Sequence, residues 1–144
     1  MKSINYFLFV ACVFFFYGNN FAQVNILTGV NASKVVEGAE MVRYTADNEL
    51  PVYVKFSDVD APDTESFINF LKDELAFDAS IGFELKDTKK DKLGYIHLKY
   101  TQEFNGIPYA YTSLNVHSLN GKVVSFNGNY QKEIPKDTEI ALSF

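Results

Sequence analysis

Cysteine is almost missing from this chain: 144 residues hold one, Cys12, inside an apolar N-terminal run. A disulfide-stapled fold is thereby excluded, so the domain must rest on its hydrophobic core. Histidine occurs twice, as His97 and His117. A catalytic zinc centre takes about three protein ligands, and no H-E-x-x-H occurs, so no zinc peptidase centre lies in this chain. Positive charge is also scarce, with thirteen Lys and Arg against eighteen Asp and Glu. That balance, and the lack of a basic stripe, argues against a nucleic-acid partner. No G-x-S-x-G turn surrounds Ser113, Ser118 or Ser125, and the glycines form no phosphate-cradling loop. The chain reads as non-enzymatic, with no cofactor of its own.

What is abundant is aromatic: fourteen Phe and nine Tyr. Part of that excess belongs to export. Lys2 gives a positive start, Tyr6–Tyr17 an apolar stretch, and Asn20-Phe21-Ala22 precedes Gln23. This predicts a secretory signal peptide over 1–22, cleaved between Ala22 and Gln23, and an exported, secreted or periplasmic product. Twelve apolar residues fall short of the ~20 that cross a bilayer, so no transmembrane anchor is expected. Cys12 lies within the apolar run rather than at its end, unlike a lipid-attachment cysteine. Removing 1–22 takes away Lys2 and no acid, so the net charge moves from −5 to −6.

The remainder divides into a polar, flexible lead-in (23–36), an α+β domain (37–132) and a polar linker (133–144) that ends as a truncation would. Glu40–Thr45 and Pro51–Phe56 read as strands around Asp47-Asn48-Glu49, with Pro51 suggesting an edge position. Asp60-Ala61-Pro62-Asp63 reads as a helix entry. Phe67, Ile68, Leu71 and Leu75 then follow helical spacing, predicting three to four turns that end near Ala76–Ala79. Burying them would contribute on the order of 1.5–3 kcal/mol per side chain. Phe83–Lys86 predicts a short strand, and Lys86–Lys92, with Asp87 and Asp91 interleaved, a solvated turn.

The stretch Leu93–Tyr130 is the most informative. Ile96, Leu98, Tyr100, Gln102 and Phe104 alternate with Tyr95, His97, Lys99, Thr101 and Glu103, the period of a half-buried strand. Asn105-Gly106 supplies a tight hairpin turn that pairs Phe104 with Ile107, Gln102 with Tyr109 and Tyr100 with Tyr111. Leu114 and Val116 then fall out of phase, which predicts a β-bulge near Thr112-Ser113. Leu119-Asn120-Gly121 reads as a three-residue loop setting Val116 opposite Val124 and Leu114 opposite Phe126. His97 and His117 share the polar face and could approach across the hairpin; two wet surface histidines are favoured over an adventitious metal site. Gln102 is expected in the core, its amide satisfied by backbone, the alternative being an organiser of the hairpin tip. The fold class is thus α+β: one helix on a curved antiparallel sheet.

His97, Lys99, Tyr100, Gln102, Gly106, Pro108, His117, Gly121 and Asn127-Gly128-Asn129 together resemble the fungalysin/thermolysin propeptide domain. That family carries Arg where this chain has Lys99, so a bidentate ion pair there would not be reproduced. The resemblance implies a cystatin-like fold and an exported prosegment that assists folding of, and inhibits, a zinc metallopeptidase. That peptidase domain is the implied partner, joined in cis downstream, and zinc is expected only there. Phe104, Asn105, Ile107, Pro108, Tyr109 and Tyr111 are the candidate peptidase contacts, being an aromatic hairpin tip. The alternatives are a stand-alone exported cystatin-like inhibitor acting in trans and an adhesive β-domain of a larger surface protein.

Overall fold

A computed structural model describes residues 24–45 and 49–132. The leader with its Ala22/Gln23 cleavage site, the Asp47-Asn48 turn and the 133–144 linker lie outside the described residues. The chain runs β1 (Val24–Thr28), α1 (Val30–Ser33), β2 (Ala39–Thr45), β3 (Tyr53–Phe56), α2 (Phe67–Glu74), β4 (Ile81–Lys90), β5 (Ile96–Phe104), β6 (Ile107–Pro108), β7 (Ser113–Leu119) and β8 (Lys122–Asn129). Its strands form one open sheet in the order β1-β2-β3-β8-β7-β5-β4, with β6 paired to β5. Every pairing is antiparallel.

One face of this sheet is buried by α2. Phe67 and Leu71, a turn apart on the helix, are buried together with Val42, Val54, Phe56, Leu114, Val116, Val123 and Phe126. At the centre, Phe67 meets Phe126 with ring centroids 5.4 Å apart and Phe56 edge-on at 6.3 Å. Aromatic pairs in such tilted and T-shaped arrangements contribute about 0.5–1.5 kcal/mol beyond their burial. In β7 the alternation is complete, with Leu114, Val116 and Ser118 buried and their neighbours half-exposed.

Several expectations need correction. The lead-in is not flexible: Val24–Thr28 pairs along its whole length with β2, and Ala32 and Val36 are fully buried. Polar composition concealed this because only two of its side chains enter the core. Pro51 does not mark an edge, since β3 lies between β2 and β8. It sits just before the strand, where no ladder N–H is required. Asp60–Asp63 does not open the helix, which begins at Phe67 and is eight residues long. The Pro62 carbonyl accepts from Val123 N–H and Thr64 N–H donates to Gly121 O, so this segment pairs with the β7–β8 turn. Those backbone bonds outweigh the weak preference of acids for a helix start.

Lys86–Lys90 is not a turn either. It is the outer half of the ten-residue β4, paired as far as Lys90↔Ile96, and the turn is Asp91–Gly94. β4 is an edge strand, and alternating Lys and acid residues are a common guard against further strand pairing. The β7–β8 loop is a two-residue turn of Asn120 (φ 51°) and Gly121 (φ 79°) rather than three residues. Val124 is then the extra residue of a bulge, placing Phe126 opposite Val116 and Gly128 opposite Leu114.

Candidate functional site

The β5–β6 hairpin turns through Asn105 (φ 49°) and Gly106 (φ 79°), the two left-handed positions of a type I′ turn. Phe104 faces Ile107 and Glu103 faces Pro108 as the spacing requires. Tyr109 N–H donates to Gln102 O at 2.8 Å, and there the predicted register ends. Tyr100 pairs with Leu114, not Tyr111, so three extra residues are looped out rather than one. The deeper apolar pair explains this: Leu114 and Val116 are fully buried, whereas a tyrosine hydroxyl in that place would need a partner.

The displaced residues form a small structured projection. Thr112 is buried, donates through Oγ1 to Tyr109 O at 2.7 Å and accepts from Gln102 N–H at 3.3 Å. Asn129 Nδ2 donates to Tyr111 O at 3.3 Å. At the turn, Asn105 N–H donates to Ser80 O at 2.8 Å, which fastens the tip to the loop before β4. Between these anchors Tyr111 is 96 % exposed and takes φ 64°, a strained conformation for a bulky side chain. Ile107 is 59 % exposed, Asn105, Gly106 and Pro108 are exposed, and Tyr109 is half-buried. No charged residue occurs from Phe104 to Thr112. The tip is an uncharged, rigidly held apolar knob, the composition expected at the centre of a protein interface.

Beside it, Glu103 and Glu84 lie on adjacent strands. A hydrogen bond to Glu84, burial and mutual repulsion raise the Glu103 carboxyl, while hydrogen bonds from Lys86 and Glu103 lower that of Glu84.

Beneath the tip the remaining motif positions have distinct duties. Gln102 is 2 % exposed, and both ends of its amide reach Gln131: Nε2 donates to the carbonyl and Oε1 accepts the N–H at 3.0 Å. This side chain binds the departing chain as a neighbouring strand would. A Cβ on Gly128 would lie 2.3 Å from Ser113 O and 3.1 Å from Leu114 Cα, so only glycine fits against β7. Tyr100 is half-buried, and desolvation raises its hydroxyl pKa. Lys99 is exposed, opposite Asp87 on β4 and Asn115 on β7. His97 and His117 are directly paired, with Nδ1 atoms 2.7 Å apart.

Gln131 was not singled out by sequence reasoning, and the hydrogen bonds of Thr112 and Asn129 were not foreseen, because they depend on backbone that the looped-out residues bring near. Among the described residues, no group of three or more His, Cys, Asp or Glu is placed to hold a metal ion. No helix among them is long and apolar enough to cross a membrane.

Comparison with known proteins agrees with this geometry. Nothing among curated proteins or solved structures matches the chain. A family does: the Fungalysin/Thermolysin Propeptide Motif, over residues 82–130. The match begins at the second residue of β4 and ends at Tyr130, taking in the meander, its projecting tip and every motif position named above. Propeptides of this kind are non-catalytic and belong to precursors of thermolysin-like peptidases. Residues 82–130 thus match the model of the fungalysin/thermolysin propeptide motif.

Proposed function

We propose that this chain is the prosegment of an exported thermolysin-like zinc metallopeptidase, whose folding it assists and whose activity it blocks until removed. The observation that carries the reading is the propeptide motif over 82–130, which coincides with a meander bearing an uncharged, exposed tip. An inhibitory prosegment needs a stiff complementary surface rather than reactive groups. Phe104–Tyr111 supplies one, held by backbone hydrogen bonds at Asn105 and Tyr109 and by the Thr112 and Asn129 side chains. The architecture, one main helix against a bulged antiparallel sheet, is read as cystatin-like. Complementarity to the native peptidase surface favours native-like conformations of the attached domain during folding. The same contact occludes the peptidase afterwards. Tyr111 and Ile107 are the proposed anchors, with Pro108 and Tyr109 completing the patch.

Reading the coding sequence beyond codon 144 tests this first. An open frame reaching an H-E-x-x-H helix is expected. A stop directly after Phe144 would refute the cis arrangement and leave an independent exported module.

A further inference from the structure

Both histidines of the chain meet at one place on the open face of the sheet. His97 on β5 and His117 on β7 are direct cross-strand partners, their ring centroids 5.0 Å apart. The outer nitrogen of each ring is occupied. His97 Nε2 lies 3.2 Å from Asp91 Oδ2, and His117 Nε2 lies 3.2 Å from Asn127 Oδ1. Desolvation pushes the Asp91 carboxyl up, but hydrogen bonds from His97 and from the Tyr95 and Leu93 N–H groups bring it below its ordinary value. The carboxylate oxygen of Asp91 and the amide oxygen of Asn127 are both hydrogen-bond acceptors. Each ring is thus turned so that Nε2 meets an oxygen and Nδ1 meets the partner ring. The two Nδ1 atoms consequently face each other across 2.7 Å. Two lone pairs at that distance repel unless an electrophile lies between them.

We propose that His97 and His117 form a two-nitrogen clamp for a divalent transition-metal ion of the nickel, copper and zinc group, joining β5 to β7. Imidazole nitrogen suits these ions, whereas magnesium and calcium prefer oxygen. The arrangement behind each ring is what metal-bound histidines use: an oxygen acceptor on the far N–H fixes the tautomer and the ring orientation. Asp91 and Asn127 fill that place, and Tyr95 stacks on His97 at 6.4 Å with an interplanar angle of 19°. The His97 side chain is 39 % exposed, so water can complete the coordination. Metal–nitrogen bonds of about 2.0–2.1 Å require the nitrogens to part by roughly half an ångström, a small rotation of one half-exposed ring.

The surrounding charges permit this. Lys89 faces His97 from β4 but is paired with Asp87 at 3.1 Å, and Lys122 at the start of β8 is engaged with Asp63 at 2.8 Å. Lys99 lies two residues along β5 opposite Asn115, and Ser125 faces His117 from β8. Asp91 is the acid in direct contact. The inference is independent of the prosegment reading.

The test is calorimetric titration of the full chain with nickel or zinc chloride, carrying Cys12→Ser so that no thiolate competes. One ion should bind saturably per chain at neutral pH, with no binding of magnesium. His97→Gln or His117→Gln should abolish it, and Asp91→Ala should weaken it roughly ten- to a hundredfold. Long-range proton–nitrogen NMR on chain with both histidines intact removes dependence on variants that fold poorly: added zinc should perturb the Nδ1 resonances. Absence of saturable binding, binding that survives His97→Gln, or a perturbation at Nε2 would overturn the clamp. So would a proton shared between the Nδ1 atoms that zinc fails to displace.

Discussion

Gln102 shows how one residue can set both the shape and the stability of this motif. Its amide satisfies both backbone groups of Gln131, and its own N–H reaches Thr112 under the tip. Gln102→Leu keeps the volume but strands Gln131, and should cost about 1–3 kcal/mol with faster hydrogen exchange at the Gln131 amide. Gly128→Ala should be at least as severe, since the added methyl meets Ser113 O and the β7 backbone rather than a movable side chain. Overpacking of that kind costs roughly 1–3 kcal/mol, read as a lowered urea midpoint at unchanged slope. Tyr130 gives a pH prediction. Burial, then the charge of nearby Tyr44, raise its hydroxyl pKa far above the ordinary 10.0, and the hydroxyl donates to Pro51 O. The unfolded chain releases this proton near pH 10 while the folded chain keeps it. Stability is thus intact below that pH and falls as pH rises beyond it. Tyrosinate absorbance should report one tyrosine that ionises only on unfolding. The burial of Gln102 was legible from its phase with Tyr100 and Phe104. Its partner was not, because Gln131 is 29 residues away and beyond the last strand.

At the scale of elements, local patterns read well where one physical signal dominated. The β5–β6 turn followed from Asn105-Gly106, and the α2 face followed from the spacing of Phe67, Leu71 and Leu75, all three buried. Leu71 is fully buried beneath the sheet, so Leu71→Ala should cost about 2–5 kcal/mol. Signals failed where long-range backbone pairing decided the outcome. Pro62 and Thr64 bond to the β7–β8 hairpin instead of starting the helix, and Lys86–Lys90 continues a strand because β5 is long enough to pair with it. The segment 24–36 misled most, since β1 borrows its stability from β2 and shows no strong alternation of its own. A chain beginning at residue 37 would uncover the β2 edge and remove Ala32 and Val36 from the core. Such a truncation should lose cooperative unfolding, checked by a urea melt followed by circular dichroism.

For the molecule as a whole, the sheet serves as a stiff mount for a short uncharged projection. Tyr111 tests this division of labour. It is almost fully exposed and strained, so Tyr111→Ala should leave stability within about 0.5 kcal/mol. As an interface anchor its loss should instead weaken inhibition of the peptidase by roughly thirtyfold, the cost of about 2 kcal/mol at a binding hot spot. The projection itself was legible only in outline: exposure at the tip followed from the turn, but not the looped-out residues that carry Tyr111. The most direct measurement takes the peptidase domain proposed to be encoded downstream, denatures it, and renatures it with and without this chain added in trans. The prosegment account predicts that active peptidase is recovered in quantity only when the chain is present, and that excess chain then inhibits it. Equal recovery without the chain, together with full activity in its excess, would contradict the account.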